Sequence, residues 1–236
     1  KYKRQVVFYC GDEDGTRMPE PYNEDYLIVR EINHKTLDYP NLIYKPLPIN
    51  ARNSMNGIPN ATNDIEFSGS YLIPPLERPL DILFIGQFHV QDRRDMMQAL
   101  GHLGDNALEK SKIIDTRQFA GGASMEDYSQ MTERAKIILC PKGGAPETFR
   151  YTEAMKCGCT VITTFKPDNL WYYKGSPAIH LNHWSELTNE LLTKLLEPQG
   201  LYNRGAKAVE YYNRCLSDSA VANYILKHLE DKHATN

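Results

Sequence analysis

Short continuous apolar runs, separated by polar stretches of helical character, set the rhythm of this chain. The runs QVVFYC (Gln5–Cys10), YLIVREI (Tyr26–Ile32), NLIYKPLPI (Asn41–Ile49), LDILFIG (Leu80–Gly86), Lys112–Ile114, Ile137–Cys140, Thr160–Ile162 and Ala178–Leu181 predict strands. Between and after them, helical periodicity predicts helices over Arg93–Leu103, with Met96, Met97, Leu100 and Leu103 on one side, and over Trp184–Glu197, Leu201–Cys215 and Ser219–Asp231. Ser124-Met-Glu-Asp127 has the form of a capping box and predicts a helix through Arg134. A further helix is expected to open at Pro146 or Glu147 and to stop at Gly158. The tract from Asn50 to Ser70, rich in Asn, Ser and Gly, reads as loop.

Strands alternating with helices predict an α/β fold built on parallel sheets, in two such units. The expected organisation is a first unit over residues 1–76, a second over 77–200, and C-terminal helices over 201–236 that pack back across the units. Ligands on open parallel sheets bind beyond the carboxyl ends of the strands. Gly11, Gly86 and the Gly143–Gly144 pair each follow a predicted strand, so all three turns point to such a crevice.

The densest chemistry lies in IILCPKGGAPETFRYTEAMKCGCTVITT, Ile137 to Thr164. It reads as strand, glycine loop, helix and strand, with Lys142 near the expected helix N-terminus. Free backbone N–H groups and the positive end of a helix dipole suit a phosphate. Arg150 and Glu153 stand three residues apart and share a helix face. A cation and a carboxylate so placed could hold a diphosphate and a ribose. The alternative is a helix-surface ion pair worth a few tenths of a kcal/mol.

Composition narrows the class. The 236 residues are 41% hydrophobic and 24% charged, with a net charge of −3. The sequence pI of about 6.2 gives no footprint for nucleic acid, for which a domain pI above about 9 is expected. No apolar run approaches the roughly 20 residues that span a bilayer. The five cysteines (Cys10, Cys140, Cys157, Cys159 and Cys215) are odd in number. Cys157-Gly-Cys159 is too tight for the usual zinc spacing. They read as free thiols of a reducing compartment, so a cytoplasmic location is expected; separately, no metal site and no cofactor are expected. Asn60-Ala-Thr62 fits a glycosylation sequon, a tripeptide common by chance. The chain opens at Lys1 rather than at methionine, which leads to the expectation of one domain of a larger multidomain protein.

LCPKGGAPETFRYTEAMKCGCTVI, Leu139 to Ile162, resembles the nucleotide-sugar-binding core of exostosin-like glycosyltransferases, whose pattern carries L-C-P, a glycine, F-R, E-A and G-C before a closing V-I. Arg117–Ile137 resembles the segment leading into that core, and Lys166–Leu187 the segment after it. The match covers about Asp81 to Leu187. The resemblance implies a GT-B-like fold, two Rossmann-like units facing a cleft, here with a reduced N-terminal, acceptor-side unit and the donor held by the C-terminal one. It implies inverting, metal-independent transfer of a sugar from a nucleotide diphosphate, a UDP-sugar first, to a glycan acceptor. Arg150 would contact the diphosphate and Glu153 the ribose hydroxyls, while Lys142, Gly143 and Gly144 line the pocket mouth. Thr148 and Phe149 of the same motif join the nucleotide-sugar-binding set. The sequence departs from the family at Thr160, where many members have proline, and in the short N-terminal block. Retaining GT-B enzymes carry two glutamates eight residues apart; Ala145 stands eight before Glu153, so that signature is absent.

Other residues complete the candidate site. The turn at Gly86-Gln87 could bring a backbone N–H to a phosphate. Arg93 and Arg94 open a helix, where cations oppose the dipole, and so point to an anionic partner. Asp168 and Asn169 could hold sugar hydroxyls. Inverting transfer needs a base for the acceptor hydroxyl. Asp12, Glu13 and Asp14, in the first post-strand turn, are the candidates, with Glu31 and His34 as competitors. Asp-rich turns are also simply turns. His180 and His183 read as structural; Trp171, Tyr172 and Tyr173 read either as packing or as a stacking surface. A sugar-nucleotide epimerase or a non-catalytic nucleotide-sugar-binding module are the alternatives. A dinucleotide-dependent oxidoreductase lacks its G-x-G-x-x-G after the first strand.

Overall fold

A computed structural model describes residues 5–9, 26–31, 42–47, 73–117, 123–167 and 169–234. The chain is α/β, with two all-parallel sheets. The first has the order β1-β2-β3, from β1 (Gln5–Tyr9), β2 (Tyr26–Glu31) and β3 (Leu42–Lys45). The second contains β4 (Leu80–Gly86), β5 (Ser111–Asp115), β6 (Ala135–Leu139), β7 (Thr160–Thr163) and β8 (Ile179–His180), in the order β5-β4-β6-β7-β8. The strand that begins this sheet lies inside it. The chain leaves β4 for β5 on one side and returns to β6 on the other, which is the order of a doubly wound, Rossmann-like unit. Its switch point lies between the carboxyl ends of β4 and β6.

Both faces of this sheet are buried, which explains the uninterrupted apolar runs. Ile82, Phe84, Ile137, Leu139 and Ile162 face one side. There they meet Met96, Ala99 and Leu100 of α1 (Gln91–Gly101) and Leu192 and Leu195 of α5 (Asn189–Leu196). Leu83, Ile85, Ile138 and Val161 face the other, against Tyr128 of α3 (Met125–Glu133), Tyr151, Ala154 and Met155 of α4 (Phe149–Lys156), and Ala208 and Tyr211 of α6 (Pro198–Tyr211). A short helix α2 (Asp105–Leu108) precedes β5. The last helix, α7 (Asp218–Ala234), places Val221, Ile225 and Leu229 against Leu27 and Val29 of β2. The chain's end thus packs on its beginning.

Several helix boundaries moved from their sequence expectation. Ser124 does cap α3, its hydroxyl accepting from the Asp127 amide at 3.0 Å. The expected Trp184–Glu197 helix divides into a 3-10 turn, Trp184–Glu186, and α5. The break comes from Thr188, whose hydroxyl accepts from the Leu191 amide and starts a new helix. α6 opens earlier than expected, with Pro198 in its first turn, and passes into a π-helical turn at Tyr212–Leu216. α4 starts at Phe149, later than Pro146 or Glu147.

The base of the second unit is locked by Arg78. Its buried guanidinium donates to the carbonyls of Ala135 (2.9 Å) and Cys157 (2.6 Å). Close by, α6 meets the turn after α4 backbone to backbone. Gly158 has φ of +65°, and a Cβ on Gly205 would stand 2.9 Å from the Gly158 carbonyl oxygen. Gly205→Ala is therefore expected to destabilise the protein by about 1–3 kcal/mol, read as a lower urea midpoint with an unchanged slope.

Candidate functional site

The switch point is built from two glycines and two arginines. Gly86 ends β4, and Gly143 lies in the loop after β6. A Cβ on Gly86 would stand 2.6 Å from Arg150 Nη2, and one on Gly143 would stand 2.8 Å from Arg93 Nη2. Each guanidinium therefore lies where a larger side chain would stand.

Arg150, on the first turn of α4, is only 6% exposed. Its Nε donates to the Ile85 carbonyl at 2.9 Å, and its guanidinium lies over the Phe84 ring at 4.8 Å. Its Nη1 is buried and has no hydrogen-bond partner among the described residues. The same is true of the hydroxyl of Thr148, the residue that caps α4, which makes no capping bond. Two unsatisfied polar groups thus flank the N-terminus of α4. Buried donors without partners cost about 1–3 kcal/mol each and call for a ligand or a water.

Glu153 is 1% exposed and accepts from the Tyr128 hydroxyl on α3 at 2.5 Å. With both Arg150 and Glu153 buried, the surface ion pair is excluded. Cys140, directly after β6, feels both of these groups. Burial pushes its thiol up to about 12 from an ordinary value of 9; Arg150 opposes the shift and Glu153 adds to it.

The glycine loop differs from the expected cradle of free amides. The Lys142 N–H donates to Asp92 Oδ2 at 2.7 Å, and the Gly143 N–H donates to the Ala145 carbonyl at 2.9 Å. Lys142 and Gly144 are exposed, and eight-residue α4 begins well past Lys142. Arg93 is buried in the first turn of α1 and bonds the carbonyls of Gln87 (2.9 Å) and Lys142 (3.1 Å). Arg94 is exposed and turns back to the His89 carbonyl and the Gln91 side chain. Of this pair, Arg93 stands at the switch point. Phe149 is half-buried at the start of α4.

Asp12, Glu13, Asp14, His34 and Asp168 lie outside the described residues; Asn169 is exposed and Glu31 ends β2. The aromatic turn is packing. Trp171 stacks on Tyr224 of α7 at 3.8 Å and donates to the Tyr44 carbonyl of β3. Tyr172 and Tyr173 are buried, and their hydroxyls donate to the Glu147 carboxylate at 3.2 and 3.5 Å. His180 makes a structural contact with the Phe165 carbonyl. Sequence reasoning passed over Asp92 and Glu147. The acidic first turn of α1, directly before Arg93, was the available signal for the former.

No family model and no curated protein sequence matches the chain. Among solved structures, it is similar to HepE from Anabaena, determined in complex with UDP and glucose: 12% identity, TM-score 0.49, covering 87% of this chain and 63% of that one. It is similar to WaaG, a glycosyltransferase involved in lipopolysaccharide biosynthesis, at 16% identity and TM-score 0.49, over 84% of this chain and 62% of that one. A third, AviGT4, a glycosyltransferase involved in avilamycin A biosynthesis, shares 12% identity at TM-score 0.34, over 89% of this chain and 74% of that one. The chain spans less than two thirds of the length of the first two. Likenesses at these scores carry neither substrate nor mechanism to this chain. No helix among the described residues is long and apolar enough to cross a membrane.

Two outcomes follow from the site. Gly86→Ala should destabilise the protein by about 1–3 kcal/mol and lose most of that penalty in an Arg150→Ala background; a double-mutant cycle on urea midpoints measures the coupling. The raised Cys140 thiol keeps its proton in the folded state after the unfolded chain has released its own. Its contribution is complete below about pH 9 and is lost as pH rises toward about 12. Urea midpoints should fall above pH 9, and less steeply in Cys140→Ala.

Proposed function

We propose that this chain is a GT-B-like, exostosin-like glycosyltransferase that moves a sugar from a nucleotide diphosphate, a UDP-sugar first, to a glycan acceptor with inversion and without a metal. The reading rests on one observation above the rest: buried Arg150 at the switch point of a doubly wound sheet, its Nη2 against Gly86 and its Nη1 without a partner among the described residues. A cation fixed there before the ligand arrives suits the charge that grows on a departing diphosphate. Thr148, whose hydroxyl has no partner among the described residues, supplies a second polar group.

In this reading Arg150 and Arg93 hold the diphosphate, with Gly86, Gln87, Gly143, Gly144, Phe149 and Lys142 around it. Glu153 accepts from the ribose while Tyr128 orients its carboxylate. Asp168 meets the sugar hydroxyls. A carboxylate of the first unit, Asp12, Glu13 or Asp14, takes the acceptor hydroxyl's proton as its oxygen attacks the anomeric carbon. The anomeric C–O bond breaks, and its electron pair leaves with the diphosphate. The compartment that fits this reading is the cytoplasm.

A thermal-shift screen against UDP-, GDP-, dTDP- and CMP-sugars tests this. A ligand present at 100 times its Kd stabilises by about 2.7 kcal/mol. One nucleotide should raise the Tm of the wild type, and Arg150→Lys and Glu153→Gln, folded to the same extent, should lose that shift. No response from the wild type, or equal responses from the variants, would overturn the site. Binding without nucleotide release identifies a non-catalytic module, and a changed sugar nucleotide without acceptor identifies an epimerase.

A further inference from the structure

The first turn of α1 reaches three strand ends at once. Asp92 accepts from the Lys142 N–H at 2.7 Å and from the Thr164 hydroxyl at 2.8 and 3.0 Å. Its neighbour Arg93 donates to the Lys142 carbonyl and to the Gln87 carbonyl. The two side chains therefore grip Lys142 by both its N–H and its C=O. They tie the loop after β6 to those after β4 and β7. A carboxylate that accepts a backbone N–H is among the stronger hydrogen bonds a protein makes.

We propose that Asp92 is a positioning residue: with Arg93 it clamps Lys142, so that the glycine loop enters the site as a preset wall while the arginines meet the anion. This rests on the functional reading above for the ligand, but the clamp itself is a property of the unliganded protein. The geometry has a direct consequence for recognition. Two amides of a loop that looks like a phosphate nest, those of Lys142 and Gly143, are already bonded. Those two amides are therefore not available to a ligand, and the clamp instead sets a side chain in place beforehand, since Arg93 Nη2 lies against Gly143. Without the carboxylate, the loop is free to turn its amides outward and to release Arg93.

Amide exchange of the Cys140–Glu147 segment, followed by mass spectrometry on the unliganded protein, tests the clamp in Asp92→Ala and in Thr164→Val. Thr164→Val removes one arm while leaving Asp92 on Lys142, and it secures the test should Asp92→Ala fold poorly. Asp92→Ala should speed exchange in this segment at least tenfold with little change in Tm, and Asp92→Glu should restore part of the protection. Thr164→Val should speed it by a smaller factor. Affinity for the nucleotide found in the thermal-shift screen should weaken about tenfold in Asp92→Ala. Unchanged exchange in both variants overturns the clamp. Faster exchange with unchanged affinity overturns the positioning role. If the wild type binds no nucleotide, the functional reading fails while exchange still decides the clamp.

Discussion

A buried guanidinium bonded to the next-to-last carbonyl of β4 governs the second unit. Arg150 reaches from α4 to the Ile85 carbonyl and lies across the Phe84 ring. It fits only because residue 86 has no Cβ. A buried cation is costly unless it is paired and bonded, so the ends of β4 and α4 are held at the separation this side chain demands. The position of α4 in turn sets where Thr148 and Glu153 stand. The bond also leaves Nη1 over, a buried donor with no partner among the described residues.

Around this bond the loops are braced from two sides. On one side, Asp92 and Arg93 hold the glycine loop. On the other, the Glu147 carboxylate, buried before α4, accepts from Tyr172 and Tyr173. Those tyrosines sit in the turn whose Trp171 stacks on α7 and donates to β3. A continuous line of contacts thus joins the first sheet, the C-terminal helix and the loop that precedes Arg150. Glu147 also accounts for the late start of α4: its side chain is drawn to the tyrosines, and the backbone turns helical only after the extended Thr148.

Sequence patterning carried far where the cause is local or periodic. Apolar runs such as Leu80–Gly86 located the strands because a sheet buried on both faces needs apolar side chains at every position. Ser124 announced α3 because a cap is a contact within one turn. Patterning went astray where two local readings compete. Trp184–Glu197 has helical periodicity throughout, yet Thr188 restarts the helix. The Pro-Lys-Gly-Gly run has the composition of an anion nest, but its amides at Lys142 and Gly143 are bonded within the protein. For the Trp-Tyr-Tyr turn patterning left packing and a stacking surface open, and the structure decides for packing.

By itself, the sequence determined the alternation of strand and helix, the parallel α/β class, the glycines at the strand ends, and the placing of Arg150 and Glu153 on one helix near a turn. Each of these follows from periodicity or from spacing within a few residues. Only the tertiary structure decided that β4 lies between β5 and β6, and so that Gly86 and Gly143 border one crevice. It alone showed which arginine enters that crevice, that Asp92 closes on the glycine loop, and that α7 returns to cover β2. These are contacts between residues about fifty to two hundred positions apart. Their partners are chosen by packing and by the need to satisfy buried polar groups, and no local pattern encodes that choice.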